Sequence, residues 1–221
     1  LNGALYFKRI VMLTKQQWHD QPYEIRKKQL DDTYTYYHTK ATGHFQGSIF
    51  ADITVIAGIT KAGSYRTLLD YGSGESMMWS NFKPTHRNET FMARHLHRAG
   101  LTFEVTLYDP YSSKYNNLRL DQRHDIVMCN DVLEHVLIED VAGTLDAIFS
   151  FANKAVYLNI STQYASKKIT DLNGNIITEQ DLHVTVKPAE WWLEQIDKAE
   201  MKLRDKEKRF VTVYTKFDKY V

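Results

Sequence analysis

The sequence predicts an α/β protein: a doubly wound, mostly parallel sheet, with a helical N-terminal extension before it and a C-terminal antiparallel hairpin closing it. Three observations lead there. Thr67-Leu-Leu-Asp-Tyr-Gly-Ser-Gly-Glu-Ser76 is an apolar run that ends in an acid and breaks into Gly-x-Gly, the pattern of a strand entering a tight loop. Glu104-Val-Thr-Leu-Tyr-Asp109 and His124-Asp-Ile-Val-Met-Cys-Asn-Asp131 are two further apolar runs with polar carboxyl ends, set apart by helix-length segments. Strands so separated read as parallel neighbours joined by crossovers, and open sheets of this kind bind ligands outside their carboxyl ends. The alternation in Phe210-Val-Thr-Val-Tyr214 is the third observation and marks a terminal strand.

Taken in order, residues 1–11 read as a segment upstream of the native start or added ahead of it. Thr14 to about Thr39 is polar and aromatic, with Trp18, Tyr23, Ile25, Leu30, Tyr34 and Tyr37 at helical spacings, and Pro22 should break it. A second helix spans about Ser48 to Lys61 on the period of Ile49, Ile53, Ile56 and Ala57, and Ala62-Gly63 ends it. Residues 1–47 are thus an N-terminal helical extension and 48–221 the main domain.

The first strand follows at Arg66–Asp70. Gly72 and Gly74 carry no Cβ and tolerate positive φ, so the loop after it can turn sharply and approach a ligand closely. The stretch from Glu75 to Phe103 is longer than a crossover helix needs, and Lys83-Pro84 interrupts it. His95 and His97 lie in it two residues apart, which on a helix puts them on different faces, so they read as solvated rather than as metal ligands. No metal is expected. The second strand is Phe103–Asp109, closed by Pro110, and any strand between Lys114 and Arg123 is short.

Asp125–Cys129 is read as running directly into a helix from about Val132. Another helix after Val141 leads to the strand Ala155-Val-Tyr-Leu-Asn-Ile160. Ser161 to Asn175 is a loop, with Asn173-Gly174 as a tight turn. Pro188 opens a helix carrying Trp191, Trp192 and Ile196, and Met201–Asp205 with Arg209–Phe217 form the hairpin.

Composition narrows the function. The 221 residues, 43% of them hydrophobic, suit one domain with a substantial core. Lys+Arg at 28 against Asp+Glu at 27 gives a net charge of +1, which disfavours tight non-specific binding of nucleic acid. A single cysteine, Cys129, excludes an intramolecular disulfide framework and fits a reducing, cytoplasmic setting. No run approaches the roughly 18 apolar residues of a membrane span.

Leu69-Asp-Tyr-Gly-Ser-Gly74, Asp109 and Asn130-Asp-Val-Leu-Glu-His-Val136 together resemble the class I S-adenosylmethionine-dependent methyltransferases. The resemblance covers about residues 45 to 217, with Ser73 standing where that family often has cysteine. It implies S-adenosylmethionine as cofactor. Gly72, Ser73 and Gly74 would pass the methionine part, and Asp70 would act on its amino group. Asp109 would accept hydrogen bonds from both ribose hydroxyls, since an ionised carboxylate offers two oxygens to two vicinal donors. Pro110 and Tyr111 would pack on adenine. Asn130 and Asp131, at the end of the next strand, would contact cofactor or substrate, although Asp131 reads equally as a helix N-cap.

Methyl transfer is an in-line displacement from a sulfonium, so alignment in a dry pocket supplies much of the catalysis. A base is needed only where the nucleophile carries a proton. His135, in Leu-Glu-His-Val, and His183, in Asp181-Leu-His-Val-Thr-Val-Lys187, are the candidates, with structural roles equally open to both. Tyr37 and His38, on the preamble that often covers the cofactor mouth in such enzymes, and Trp191 are candidate substrate contacts. The preamble reads more readily as an amphipathic helix burying its aromatic residues against the sheet. Adjacent helix positions face about 100° apart, so one of Trp191 and Trp192 should be core.

The Asn/Asp-Pro-Pro-Tyr/Phe motif of amino-methylating DNA enzymes and the Pro-Cys of cytosine C5 enzymes are both missing from the sequence. A small-molecule, sugar or lipid-like acceptor is therefore favoured. Two rival readings stand beside this one. A nicotinamide-dependent oxidoreductase needs a third glycine where Met77 stands, and its acid should follow after roughly 20 residues, far sooner than Asp109 does. A non-catalytic nucleoside-binding scaffold could keep the fold without turnover.

Overall fold

The computed structural model describes residues 15–40, 52–74, 104–119, 121–165, 169–170, 176–178 and 181–218. Five strands form one sheet in the order β2–β1–β3–β4–β7: β1 (Thr67–Tyr71), β2 (Glu104–Tyr108), β3 (His124–Asn130), β4 (Ala152–Ser161) and β7 (Thr212–Asp218). Every pairing in it is parallel. Two short strands, β5 (Ile169–Thr170) and β6 (Ile176–Thr178), pair antiparallel in a separate ribbon.

Strand alternation divides the core between two faces. Leu69, Val127, Cys129, Val156, Leu158 and Ile160 point to one side. There they pack against α4 (Val141–Phe151) and α5 (Ala189–Glu207) through Leu145, Phe149, Trp192 and Ile196. Leu68, Ile126, Met128, Ala155 and Tyr157 point to the other, against Ile56, Ala57 and Ile59 of α3 (Ile53–Gly63). Helices on both faces make the sheet doubly wound, and burial on both faces is why its central strands are continuous apolar runs. Cys129 is one of these buried apolar positions, and burial pushes its thiol pKa well above the usual value.

The N-terminal segment is α1 (Lys15–His19) and α2 (Tyr23–Lys40), broken at Pro22 as expected, because proline has no N–H to continue the ladder. A third cluster joins Trp18, Leu30 and Tyr34 of these helices to Leu137, Leu182 and Val184 of the loops at the carboxyl edge of the sheet. Tyr23 donates to Asp140 at 2.9 Å, and Arg26 pairs with Glu139. The extension therefore caps the edge at which a parallel sheet binds ligands. Among the described residues, no helix is long and apolar enough to cross a membrane.

Three expectations are corrected. Met201–Asp205 is not a strand but the last part of α5, and β7 runs parallel to β4, so these segments form no antiparallel hairpin. Trp192, Ile196, Ala199 and Leu203 form one buried stripe at helical spacing, which holds the chain in helix through Leu203. The helix ends only at Lys208, in the left-handed region at φ 53° and bonded back to Arg204. A crossover of that length returns the chain to the same end of the sheet and makes the final strand parallel. The helix expected from Val132 is a single 3-10 turn, Leu133–His135. Ser64, at φ 51°, takes the left-handed cap of α3 expected at Gly63. A Cβ on Gly63 would lie 2.2 Å from the Tyr65 ring, so close packing is the reason for that glycine. The segment with His86, His95 and His97, the start of the second helix at Ser48 and the Asn173-Gly174 turn lie outside the described residues.

Candidate active site

The site forms where the chain leaves β1, β2 and β3. β1 connects to β2 on one side of it, and the chain then crosses to β3 on the other. The strand order thus reverses at β1, the place where open sheets part their loops and admit a ligand.

The β1 loop is held tightly. Gly72 and Ser73 both donate backbone N–H to the Tyr108 carbonyl, at 2.7 and 2.9 Å, which ties the end of β1 to the end of β2. Gly72 sits at φ 87° and Gly74 at φ 59°. A Cβ on Gly72 would lie 2.4 Å from a Val132 methyl, so only glycine lets the β1 and β3 loops close together here. Asp70 is buried at the end of β1. The Ser73 hydroxyl oxygen is buried beside it with no hydrogen-bond partner among the described residues.

Asp109 closes the second wall. Its Oδ2 accepts the Gly74 N–H at 3.0 Å and its Oδ1 the Tyr111 N–H at 2.9 Å. His38 brings Nε2 to 3.5 Å from the same Oδ1, so one of the expected substrate residues reaches the acid from α2. Oδ2 keeps a lone pair beyond these contacts. Tyr111 stacks on Tyr34 with ring centroids 5.1 Å apart and donates to Asp31 at 2.5 Å. Burial, reinforced by the Asp31 hydrogen bond, raises its phenol well above the usual pKa. Pro110 is exposed, and the side chain of Tyr37 lies outside the described residues.

The third wall follows β3. Asn130 is its buried last residue, and Asp131 takes φ 59°, a left-handed conformation that aspartate tolerates better than most residues. Asp131 caps no helix; its N–H bonds to the Asn159 carbonyl at 3.0 Å, which fixes the loop on β4. Its side chain gathers with those of Glu134, His135 and His183, one ligating atom from each lying within 4.8 Å of the others. The rings of His135 and His183 meet edge to face at 4.8 Å, with Tyr34 6.0 Å from His135. His135 donates Nδ1–H to the Leu182 carbonyl at 2.9 Å, and His183 donates its own to the Gln163 carbonyl at 2.6 Å. A carbonyl only accepts, so both rings are set with Nε2 as the lone-pair nitrogen. Burial, aided by the neighbouring His183, lowers His135 to a pKa of about 4. Glu134 is wholly buried, its Oε1 accepting the Ser161 N–H at 2.8 Å. Burial, with the Asp131 charge beside it, raises its carboxyl well above the usual range.

The structure thus gathers nearly all the expected site residues at one edge of the sheet. Trp191 stands apart in the first turn of α5, half-buried against the core and edge-on to the fully buried Trp192 at 4.9 Å. Sequence reasoning passed over Glu134 and Asp31 as site residues, while Tyr34 was among its candidate pocket walls. A signal for Glu134 was present, because residues 131, 134 and 135 share the i, i+3, i+4 spacing that puts side chains on one face of a turn. It also passed over buried Asp52, which accepts from Asn159 at 2.9 Å and pairs with Lys216 at 2.7 Å, linking the start of α3 to β4 and β7.

These walls fit S-adenosylmethionine. Gly72 has no room for a side chain, the buried Ser73 hydroxyl has no hydrogen-bond partner among the described residues, and Asp109 Oδ2 keeps a lone pair that a ribose hydroxyl could use. Comparison with curated proteins returns no match. A family model described as "Methyltransferase domain" matches residues 42–208, well over half of the chain and the loops after β1, β2 and β3, while Asp31, Tyr34 and His38 of α2 precede it. The chain belongs to this methyltransferase family, as an enzyme that uses S-adenosylmethionine.

Proposed function

We propose that the chain methylates a small-molecule, sugar or lipid-like acceptor by in-line displacement, and that it does so in the cytoplasm. The observation that carries this reading is the cover laid by α1 and α2, whose Trp18, Leu30 and Tyr34 pack on Leu137, Leu182 and Val184 above the carboxyl edge. A covered mouth suits a compact acceptor better than a duplex, and a net charge of +1 adds no pull on polyanions. The buried cysteine is in keeping with a reducing compartment.

The bound cofactor supplies a methyl group on a sulfonium. Gly72, Ser73 and Gly74 hold the amino acid end with Asp70, Asp109 takes the ribose, and Asn130 with Asp131 borders the transfer point; Pro110 and Tyr111 flank the adenine. His38, which α2 carries to 3.5 Å from Asp109, faces the acceptor, whereas Trp191 packs on the core away from it. Alignment and exclusion of water carry the rate. Where the acceptor holds a proton, His135 and His183 are the candidate bases, and His135, lowered to about 4 by burial, has little affinity for one at neutral pH.

Calorimetric titration with S-adenosylhomocysteine and NADH, followed by a screen of hydroxyl, amine and carboxylate metabolites for methyl uptake, tests the proposal. Micromolar binding of the first ligand and methylation of a compact metabolite are expected. Methyl uptake only by RNA, DNA or protein would overturn the acceptor class.

A further inference from the structure

We propose that Asp131, Glu134, His135 and His183 form a binding site for one divalent first-row transition-metal ion beside the methyl-transfer centre. The reading rests on the site above only for its location; binding of the ion itself requires no acceptor.

Four features carry it. Two carboxylates and two imidazoles converge, with one ligating atom from each within 4.8 Å of the rest. Metal–ligand bonds of about 2.1 Å place donors roughly 3–4.2 Å apart, so the widest separations in the cluster close by about 0.6–1.8 Å, within reach of side-chain rotation. The donor set mixes imidazole nitrogen with carboxylate oxygen, which suits manganese, iron or zinc better than calcium or magnesium.

The imidazoles are already oriented as ligands. Each spends Nδ1–H on a backbone carbonyl, Leu182 for His135 and Gln163 for His183, and each is left with an Nε2 lone pair. Outer hydrogen bonds of this type fix the tautomer and ring plane of metal-binding histidines. Glu134 provides the independent sign of a ligand. It is 0% exposed, its Oε1 is held by Ser161 N–H, and the acid group faces the Asp131 carboxyl, while no N–H donor among the described residues reaches the buried Oε2. A buried carboxylate oxygen without a donor is costly, and a cation supplies what is missing. Asp131 reaches the cluster from a left-handed backbone at φ 59°, a conformation that persists where the surroundings require it. With four protein ligands, a six-coordinate ion keeps two positions for water. With the ion bound, both Nε2 atoms ligate it, so either histidine can act as a base only in the metal-free chain.

The test is calorimetry of the chelator-stripped protein with Zn2+, on the wild type, Glu134→Gln and His183→Ala. Glu134→Gln keeps the Oε1 that Ser161 needs, so the fold should persist, and circular dichroism and melting of the metal-free proteins check this. Binding of one Zn2+ per chain at micromolar or tighter Kd, weakened at least tenfold in each variant, is expected. Visible absorption of a Co2+ complex should show nitrogen ligation that His183→Ala diminishes. Absence of Zn2+ binding in the wild type, or equal binding in folded Glu134→Gln, would overturn the site. Loss of S-adenosylhomocysteine binding with Zn2+ binding intact would count against the cofactor cradle alone.

Discussion

Replacing Gly72 by alanine tests how the β1 and β3 loops meet. The added Cβ would lie 2.4 Å from Val132 Cγ2 and 2.9 Å from Cγ1, where carbon–carbon contacts ordinarily sit at roughly 3.5–4.0 Å. Two costs combine. A side chain at φ 87° carries a left-handed penalty of about 1–2 kcal/mol, and overpacking a filled space costs about 1–3 kcal/mol. Gly72→Ala should therefore destabilise by about 2–5 kcal/mol, a fall in Tm of roughly 4–20 °C for a chain of this size. Only the second cost involves Val132, so Val132→Ala relieves most of it, leaving a contact of 3.2 Å to its Cβ. Val132→Ala alone loses two half-buried methyl groups, a cost of about 1 kcal/mol. The double variant should be more stable than the sum of the two changes by about 1–3 kcal/mol, measured by urea unfolding of all four proteins. Additivity within about 0.5 kcal/mol would refute the contact.

Asp109→Ala should weaken S-adenosylhomocysteine binding by about 1.5–3 kcal/mol, roughly 10- to 150-fold in Kd by calorimetry, through lost hydrogen bonds to a charged acceptor; unchanged affinity would remove Asp109 from the site. His124 is buried with Nε2 2.8 Å from Thr106 Oγ1, and burial lowers its pKa against the opposing charges of Glu104 and Asp125. The native state therefore binds fewer protons at this ring than the unfolded chain. Its contribution is present above pH ~6.5 and is lost as pH falls toward the folded value, so His124→Gln should flatten the acid side of a plot of urea midpoint against pH; an unchanged slope would exclude it. A Cβ on Gly143 in α4 or Gly58 in α3 meets nothing within 4 Å, so Gly143→Ala and Gly58→Ala should each stabilise by about 0.4–1 kcal/mol, and a lower melting temperature in either would contradict the open space.

Much of the fold was legible because strands buried on both faces leave a strong imprint. Leu68, Leu69, Ile126 to Cys129, Val156 to Leu158 and Ile160 are all buried and apolar, and the polar residues that follow mark the carboxyl edge at which parallel sheets bind ligands. The glycine loop and Asp109 were legible for the same local reason: a tight turn and a carboxylate are demanded at fixed places in the chain. The end of the chain was misread because Phe210 to Tyr214 alternates like a hairpin strand, while the stripe through Trp192, Ile196, Ala199 and Leu203, which keeps Met201–Asp205 helical, takes effect only when α5 lies on α4 and the sheet.

By itself, then, the sequence determined the class of fold, the cofactor loop and the acid facing it, since these depend on residues close together along the chain. The tertiary structure alone decided that β7 runs parallel and that α2 brings Tyr34 onto Tyr111 and His38 toward Asp109. It alone joined His183 to His135, Glu134 and Asp131. Those contacts join segments tens of residues apart, and their partners are chosen by packing at the sheet edge, which no local pattern encodes.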